Sequence, residues 1–251
     1  MTEEQPKSTN WFDQGGRNYA QFRPEYPPEL ASALAELTQQ QRRAVDVGCG
    51  TGQLTTQLAA HFGDVIGVDP SAEQIANAKT HPRVRYLFAA AEHIPLVDRT
   101  VDLITAAQAA HWFDRPAFYA EARRLAAPNA IIALISYGVM QINDGALNKR
   151  FATFYRDEIG PFWPRERKLV DSGYSDIDFP FAELPYPDLS IERNWRIQDF
   201  LGYLSTWSAL RRANEARKSD MLDAFVADFS QMWGDDVQRV SWPINMRLGR
   251  I

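Results

Sequence analysis

The sequence predicts an α/β protein built on a doubly wound, mainly parallel sheet. Short apolar runs at 44–48, 65–69, 83–89, 101–106 and 131–135 alternate with segments of helical character. The first run also passes directly into a glycine-rich turn that opens a helix. Alternation of this kind gives parallel strands joined by right-handed crossovers, with helices on both sheet faces.

Taken in order, residues 1–10 are polar and read as a frayed tail. Residues 11–27 are rich in aromatics and turn formers without a helix or strand period, which suits a loop laid over another surface. Pro27-Pro28 opens a helix whose Leu30, Leu34 and Leu37 share one face. A strand at 44–48, a helix at 52–61, a strand at 65–69 and a helix at 71–80 follow, the last capped by Ser71 with Gln74 in a capping box. Strand 83–89, a loop containing Pro95 and strand 101–106 come next. Asp114-Arg115-Pro116 starts a helix that ends near Ala127, with Asp as cap and Pro in the first turn. Ile131–Ile135 is the fifth strand. Past Ser136 the rhythm changes: 138–175 and 185–235 are mostly helical, and two strand-like runs remain at Ile177–Leu184 and Val237–Leu248.

A chain of 251 residues can bury one large core or two small ones. No apolar stretch approaches the roughly 18 residues of a membrane span, and the polar start Met1–Asn10 shows no secretory signal, so a cytoplasmic location is expected. One cysteine, Cys49, excludes an internal disulfide or a cysteine-based zinc cluster. A net charge of −5 with scattered Lys and Arg offers no basic stripe for nucleic acid. His61, His81 and His93 lack the i, i+4 spacing of a helical metal pair, so no metal site is expected.

The chemistry lies in two places. Asp46-Val47-Gly48-Cys49-Gly50-Thr51-Gly52 joins strand to helix, where glycines allow a sharp turn and a close ligand approach. Val65-Ile66-Gly67-Val68 ends at Asp69, placed to accept hydrogen bonds from both hydroxyls of a ribose. A dinucleotide fingerprint needs a third glycine at position 53, which is Gln53. Asp46 would repel an anion and tolerate a cation. The pattern therefore favours S-adenosyl-L-methionine over a pyrophosphate cofactor.

These segments resemble class I S-adenosylmethionine-dependent methyltransferases. Asp46–Gly52 looks like their first motif and Val65–Ser71, with Asp69, Pro70 and Ser71, like the next; Ala90–Leu96 and Val101–Ile104 fall where the third and fourth blocks stand. More narrowly, Tyr19–Pro27 and Ala106–Asp114 are similar to segments of trans-aconitate methyltransferase-like proteins. The resemblance implies a Rossmann-like seven-stranded sheet with an antiparallel C-terminal strand. It implies one domain over 1–251, with an N-terminal lid at 11–27, a cofactor-binding core at 28–136 and helical cap insertions at 138–175 and 185–235. By the same resemblance Tyr19 and Arg23 cover the methionine carboxylate and the backbone N–H of Ala91 or Glu92 holds the adenine, while Gln108, just past the fourth strand, is placed for the methionine end. Relatives often carry an acid where this chain has Ala90.

Cys49, flanked by glycines, also fits a small buried hydrophobe. His111, beyond the fourth strand, suits a base or a hydrogen-bond donor to a carboxylate acceptor, or orients its loop. A base is needed only for a neutral acceptor, since a carboxylate is already ionised at pH 7. The expected activity is methyl transfer to a small molecule, a carboxylic acid first. A non-catalytic S-adenosylmethionine-binding protein and an NAD-dependent oxidoreductase remain as alternatives.

Overall fold

The computed structural model describes residues 23–251. In chain order the elements are α1 (Pro28–Glu36), β1 (Arg43–Val47), α2 (Gln53–Leu58), β2 (Asp64–Asp69), α3 (Ala72–Ala76), β3 (Val84–Phe88), β4 (Val101–Ala107), α4 (Arg115–Leu125) and β5 (Ala126–Tyr137). Then come β6 (Gln141–Ile142), α5 (Gly145–Thr153), α6 (Arg167–Asp171), β7 (Ala182–Glu183), β8 (Leu189–Trp195), α7 (Ile197–Ser205), α8 (Ser208–Glu215), α9 (Ser219–Trp233) and β9 (Gln238–Arg250).

Strands β1 to β5 are parallel, in the order β3-β2-β1-β4-β5. Alternate residues feed two cores: Ala44, Val65, Leu103, Ile131 and Ala133 face one, and Val45, Val47, Ile66, Ile104 and Ile132 face the other. Burial on both faces is what parallel strands require, and it explains their unbroken apolar runs. Among the described residues no helix is long and apolar enough to cross a membrane.

β9 runs antiparallel to β5. Nine segments make up the sheet, yet they occupy seven lanes. Ile244 pairs with both Tyr137 of β5 and Leu189 of β8, and Val240 with both Ile142 of β6 and Arg193 of β8. A strand has two edges, so β5 and β6 lie along one and β7 and β8 along the other. Pro243, which has no N–H to give, falls where β5 hands over to β6.

The outermost lane differs from the expectation. Of the 177–184 run, Ala182–Glu183 pairs with β9 and Leu184 N adds a bond to Leu248 O, but most of the lane is β8, inside the segment 185–235 read as helical cap. Pro180, Pro185 and Pro187 break up the pairing before β8. Ile191 is the one buried residue of β8, so an edge strand there leaves little apolar signal. The helices of that segment begin at Ile197. Helix α3 is also shorter than the expected 71–80. Only half of its capping box forms: Ser71 Oγ accepts from Gln74 N at 3.3 Å, while Ser71 N donates to Asp69 Oδ1.

The chain runs outward from β1 through β2 to β3, then returns to the other side of β1 as β4. The reversal leaves a crevice between β1 and β4 at the carboxyl ends of the strands, where doubly wound sheets bind ligands.

Candidate functional site

A cavity of about 970 Å³ occupies that crevice. Asp46, Gly48, Cys49, Gly50, Asp69, Pro70, Ser71, Gln108 and His111 all line it, as do Arg23 and Tyr26. Its volume sits at the upper end of the roughly 300–1,000 Å³ of ligand pockets, room for a nucleoside cofactor and a small second molecule.

The turn after β1 has three left-handed residues, Gly48, Gly50 and Gly52, with φ of 70°, 55° and 79°. A Cβ at Gly48 would overlap Ala109, and one at Gly52 would overlap the Tyr86 hydroxyl. At Gly50 a Cβ would meet nothing nearer than Gln74 Oε1, 3.7 Å away, so Gly50 faces open cavity. Gly52 itself does not line the cavity, and its close contact with Tyr86 is structural. Cys49 is packed against Gly67, and burial, then the Asp46 and Asp69 carboxylates, push its thiol pKa far up. That disfavours the thiolate a nucleophile needs.

Asp69 Oδ2 accepts from Gly50 N at 2.8 Å and Oδ1 from Ser71 N at 2.9 Å, and burial raises its pKa. The carboxylate therefore ties the tip of β2 to the glycine turn. Asp46 is buried on the opposite side of the turn, its oxygens accepting from Thr55 Oγ1 at 2.7 Å and Thr105 Oγ1 at 2.8 Å. Desolvation outweighs those bonds and raises its pKa to about 6.

Beyond β4, Gln108 adopts φ 54°, rare for a side chain with Cβ. Its backbone N donates to Ile135 O at 2.8 Å and its amide Nε2 to Tyr137 O at 3.1 Å. That strain turns the chain into the 3₁₀ segment Ala110–Trp112, which carries His111. The His111 ring lies 4.8 Å from that of Trp112, and Nδ1 stands 2.9 Å from the Tyr174 hydroxyl. Burial, then the Arg167 and Arg115 guanidiniums, lower the His111 pKa to about 3. Arg23 Nη1 donates to the Tyr137 hydroxyl at 2.9 Å and its guanidinium lies over the Tyr203 ring. Tyr19 lies outside the described residues.

Two expected residues stand apart. Ala91 is buried in the core and Glu92 Oε1 accepts from Asp114 N at 3.0 Å, and neither lines the cavity. Sequence reasoning missed Gln74, Arg115, Tyr137, Arg165, Glu166 and Arg212, which do. Helix α6 packs against the 110–112 turn, and α8 against the 160–162 turn that precedes α6, so Arg165 and Arg212 come to the cavity wall. Only topology joins such distant segments.

The residues fit S-adenosylmethionine. Gln74 Oε1 is buried in the cavity wall without a hydrogen-bond partner among the described residues, an acceptor facing the space over Gly50. Unpaired buried acceptors are costly, so a ligand donor is the natural complement. Asp46 and Asp69 give that end of the cavity the negative charge a sulfonium and an ammonium require.

Known proteins resemble this chain. Residues 45–134 match the family described as methyltransferase domain. A Dictyostelium discoideum protein named as a methyltransferase is 39% identical over 261 residues, covering 100% of this chain and 99% of its own length. A Saccharomyces cerevisiae protein named as an S-adenosylmethionine-dependent methyltransferase is 29% identical, over 86% of this chain and 87% of that one. The solved structure of a protein described as a type II methyltransferase, from Anaeromyxobacter dehalogenans, superposes with a TM-score of 0.86 at 42% identity, covering 91% of this chain and 98% of that one. The chain belongs to the class I S-adenosylmethionine-dependent methyltransferases, and its cofactor is S-adenosylmethionine. The NAD-dependent alternative falls with that assignment.

Proposed function

We propose that the protein methylates a carboxylate of a small organic acid. The observation that carries this reading is the character of the His111 end of the cavity. A histidine with pKa about 3 is a poor base, and the guanidiniums of Arg167 and Arg115 act on it, while Arg165 and Arg212, with the acid Glu166, line the same cavity. An alcohol, or an amine that is protonated at pH 7, must lose a proton and gains nothing from arginines, whereas a carboxylate is already ionised and is attracted. When bound, S-adenosylmethionine supplies an electrophilic methyl on its sulfonium.

The chain's own contribution is then positioning and charge. Asp69 and Gln74 accept from the nucleoside; Gly48, Cys49 and Gly50 give backbone close to it, with Gly52 holding the turn, and Pro70 and Ser71 form the adjoining wall. Asp46 and Gln108 face the cationic methionine end, and Arg23, with Tyr19, covers its carboxylate. His111 contacts the acceptor. The whole chain acts as one domain, whose segment 138–175 and helices from Ile197 to Trp233 cap the acceptor space over the core at 28–136.

The test is an acceptor screen with methyl-labelled S-adenosylmethionine against carboxylic acids, amines and phenols. A base-labile methyl ester formed only from acids is the expected product. Stable N- or O-methyl products from amines or phenols alone would sink the reading.

A further inference from the structure

The Tyr174 side chain is 0% exposed, and its hydroxyl has one side-chain partner among the described residues, His111 Nδ1 at 2.9 Å. We propose that Tyr174 is a positioning residue that donates its hydroxyl proton to Nδ1 and so fixes the His111 proton on Nε2, as a hydrogen-bond donor to the methyl acceptor. The polarity follows from satisfaction. Were Nδ1–H the donor, the buried tyrosine proton would have no acceptor, a loss that costs more than a bond gains. A neutral imidazole that accepts at Nδ1 carries its proton on Nε2. Tyr174 does not line the cavity and His111 does, so Nδ1 is turned to the wall and Nε2 is left for a ligand.

The backbone is shaped to hold this hydroxyl. After α6, Gly173 has φ 63° and Tyr174 itself φ 65°, a conformation an aromatic residue seldom adopts. Tyr174 N donates to Leu169 O at 2.8 Å and Gly173 N to Val170 O at 3.0 Å, closing the helix end. A Cβ at Gly173 would press on Asn245 at 2.8 Å. Burial raises the Tyr174 pKa, keeping the hydroxyl proton in place at any working pH. The pair thus selects against acceptors that present their own proton at this point and favours a bare anionic oxygen. That last consequence rests on the carboxylate reading above, whereas the tautomer does not.

The experiment is nitrogen NMR of 15N-histidine-labelled protein loaded with S-adenosylhomocysteine, for wild type and Tyr174→Phe, with and without acetate as the minimal carboxylate. The expected wild-type His111 signals are an unprotonated Nδ1 and a protonated Nε2. Tyr174→Phe should give a mixture of tautomers with unchanged S-adenosylhomocysteine affinity, and acetate should move Nε2 alone. In turnover with an acid acceptor, the variant should raise KM roughly two- to tenfold, the scale of one net hydrogen bond. A proton on Nδ1 of the wild type overturns the proposal without the variant being needed. An identical tautomer in Tyr174→Phe overturns the role of Tyr174. If the tautomer is as stated and acetate moves nothing, the donor role towards a carboxylate is overturned, and the fault lies with the acceptor class.

Discussion

Replacing His111 by Asn should flatten the acid side of the protein's stability curve. The histidine has a folded pKa of about 3 and an ordinary value of 6.5. Its folded pKa is depressed, so the unfolded chain binds the proton first as pH falls. Its full stability is present above pH 6.5 and is lost progressively on acidification towards pH 3. Between about pH 8 and about pH 4.5 the loss amounts to about 2.7 kcal/mol, at about 1.4 kcal/mol per pH unit below the unfolded pKa. Asn at this position stays neutral throughout and keeps a polar group near the Tyr174 hydroxyl. Asp46, with its pKa raised to about 6, contributes with the opposite sign: stability grows as pH falls from 6 towards its ordinary 3.8. That contribution is common to both proteins and cancels in their difference. The assay is urea unfolding of wild type and His111→Asn at several pH values in this window. The wild type should lose about 2.7 kcal/mol more than the variant. Parallel curves would refute the burial and cationic surroundings assigned to the ring.

Other substitutions separate the two ends of the cavity. Asp69→Ala should weaken S-adenosylhomocysteine binding by roughly 1.5–3 kcal/mol in calorimetric titration, the scale for hydrogen bonds to a charged group; unchanged affinity would remove its ribose role. Gln74→Met keeps the volume and deletes the orphan acceptor, so affinity should fall by about 0.5–1.5 kcal/mol with the melting temperature held. Gly50→Val puts a branched side chain into open cavity at φ 55°, and binding should vanish while far-UV circular dichroism stays native. Arg115→Gln should raise the KM of an acid acceptor several-fold and leave cofactor affinity alone, because it lies at the His111 end.

What the sequence discloses about this protein follows from how each part is stabilised. Strands β1 to β5 are apolar on both faces, so each is a visible run, and the glycine turn is visible because overlap with Ala109 or the Tyr86 hydroxyl leaves no room for a side chain. Strand β8 is not visible, since one buried isoleucine in seven residues gives no period to read. The Glu92 side chain stands away from the cavity for a different reason: a loop carboxylate goes to the nearest orphan donor, here the N–H of Asp114 just ahead of α4. The cofactor end is thus legible because its parts are contiguous, strand then turn then acid. The proposed acceptor end draws on Arg115, Arg165 and Arg212, which line the cavity, and on Tyr174 behind His111, residues nearly one hundred positions apart at the extremes. On the proposed reading, substrate choice rests largely on parts of the chain with little local signature. Altering the acceptor should require changes at 111–115 and in the 138–175 and 197–233 segments, while the motifs at 46–52 and 65–71 stay as they are.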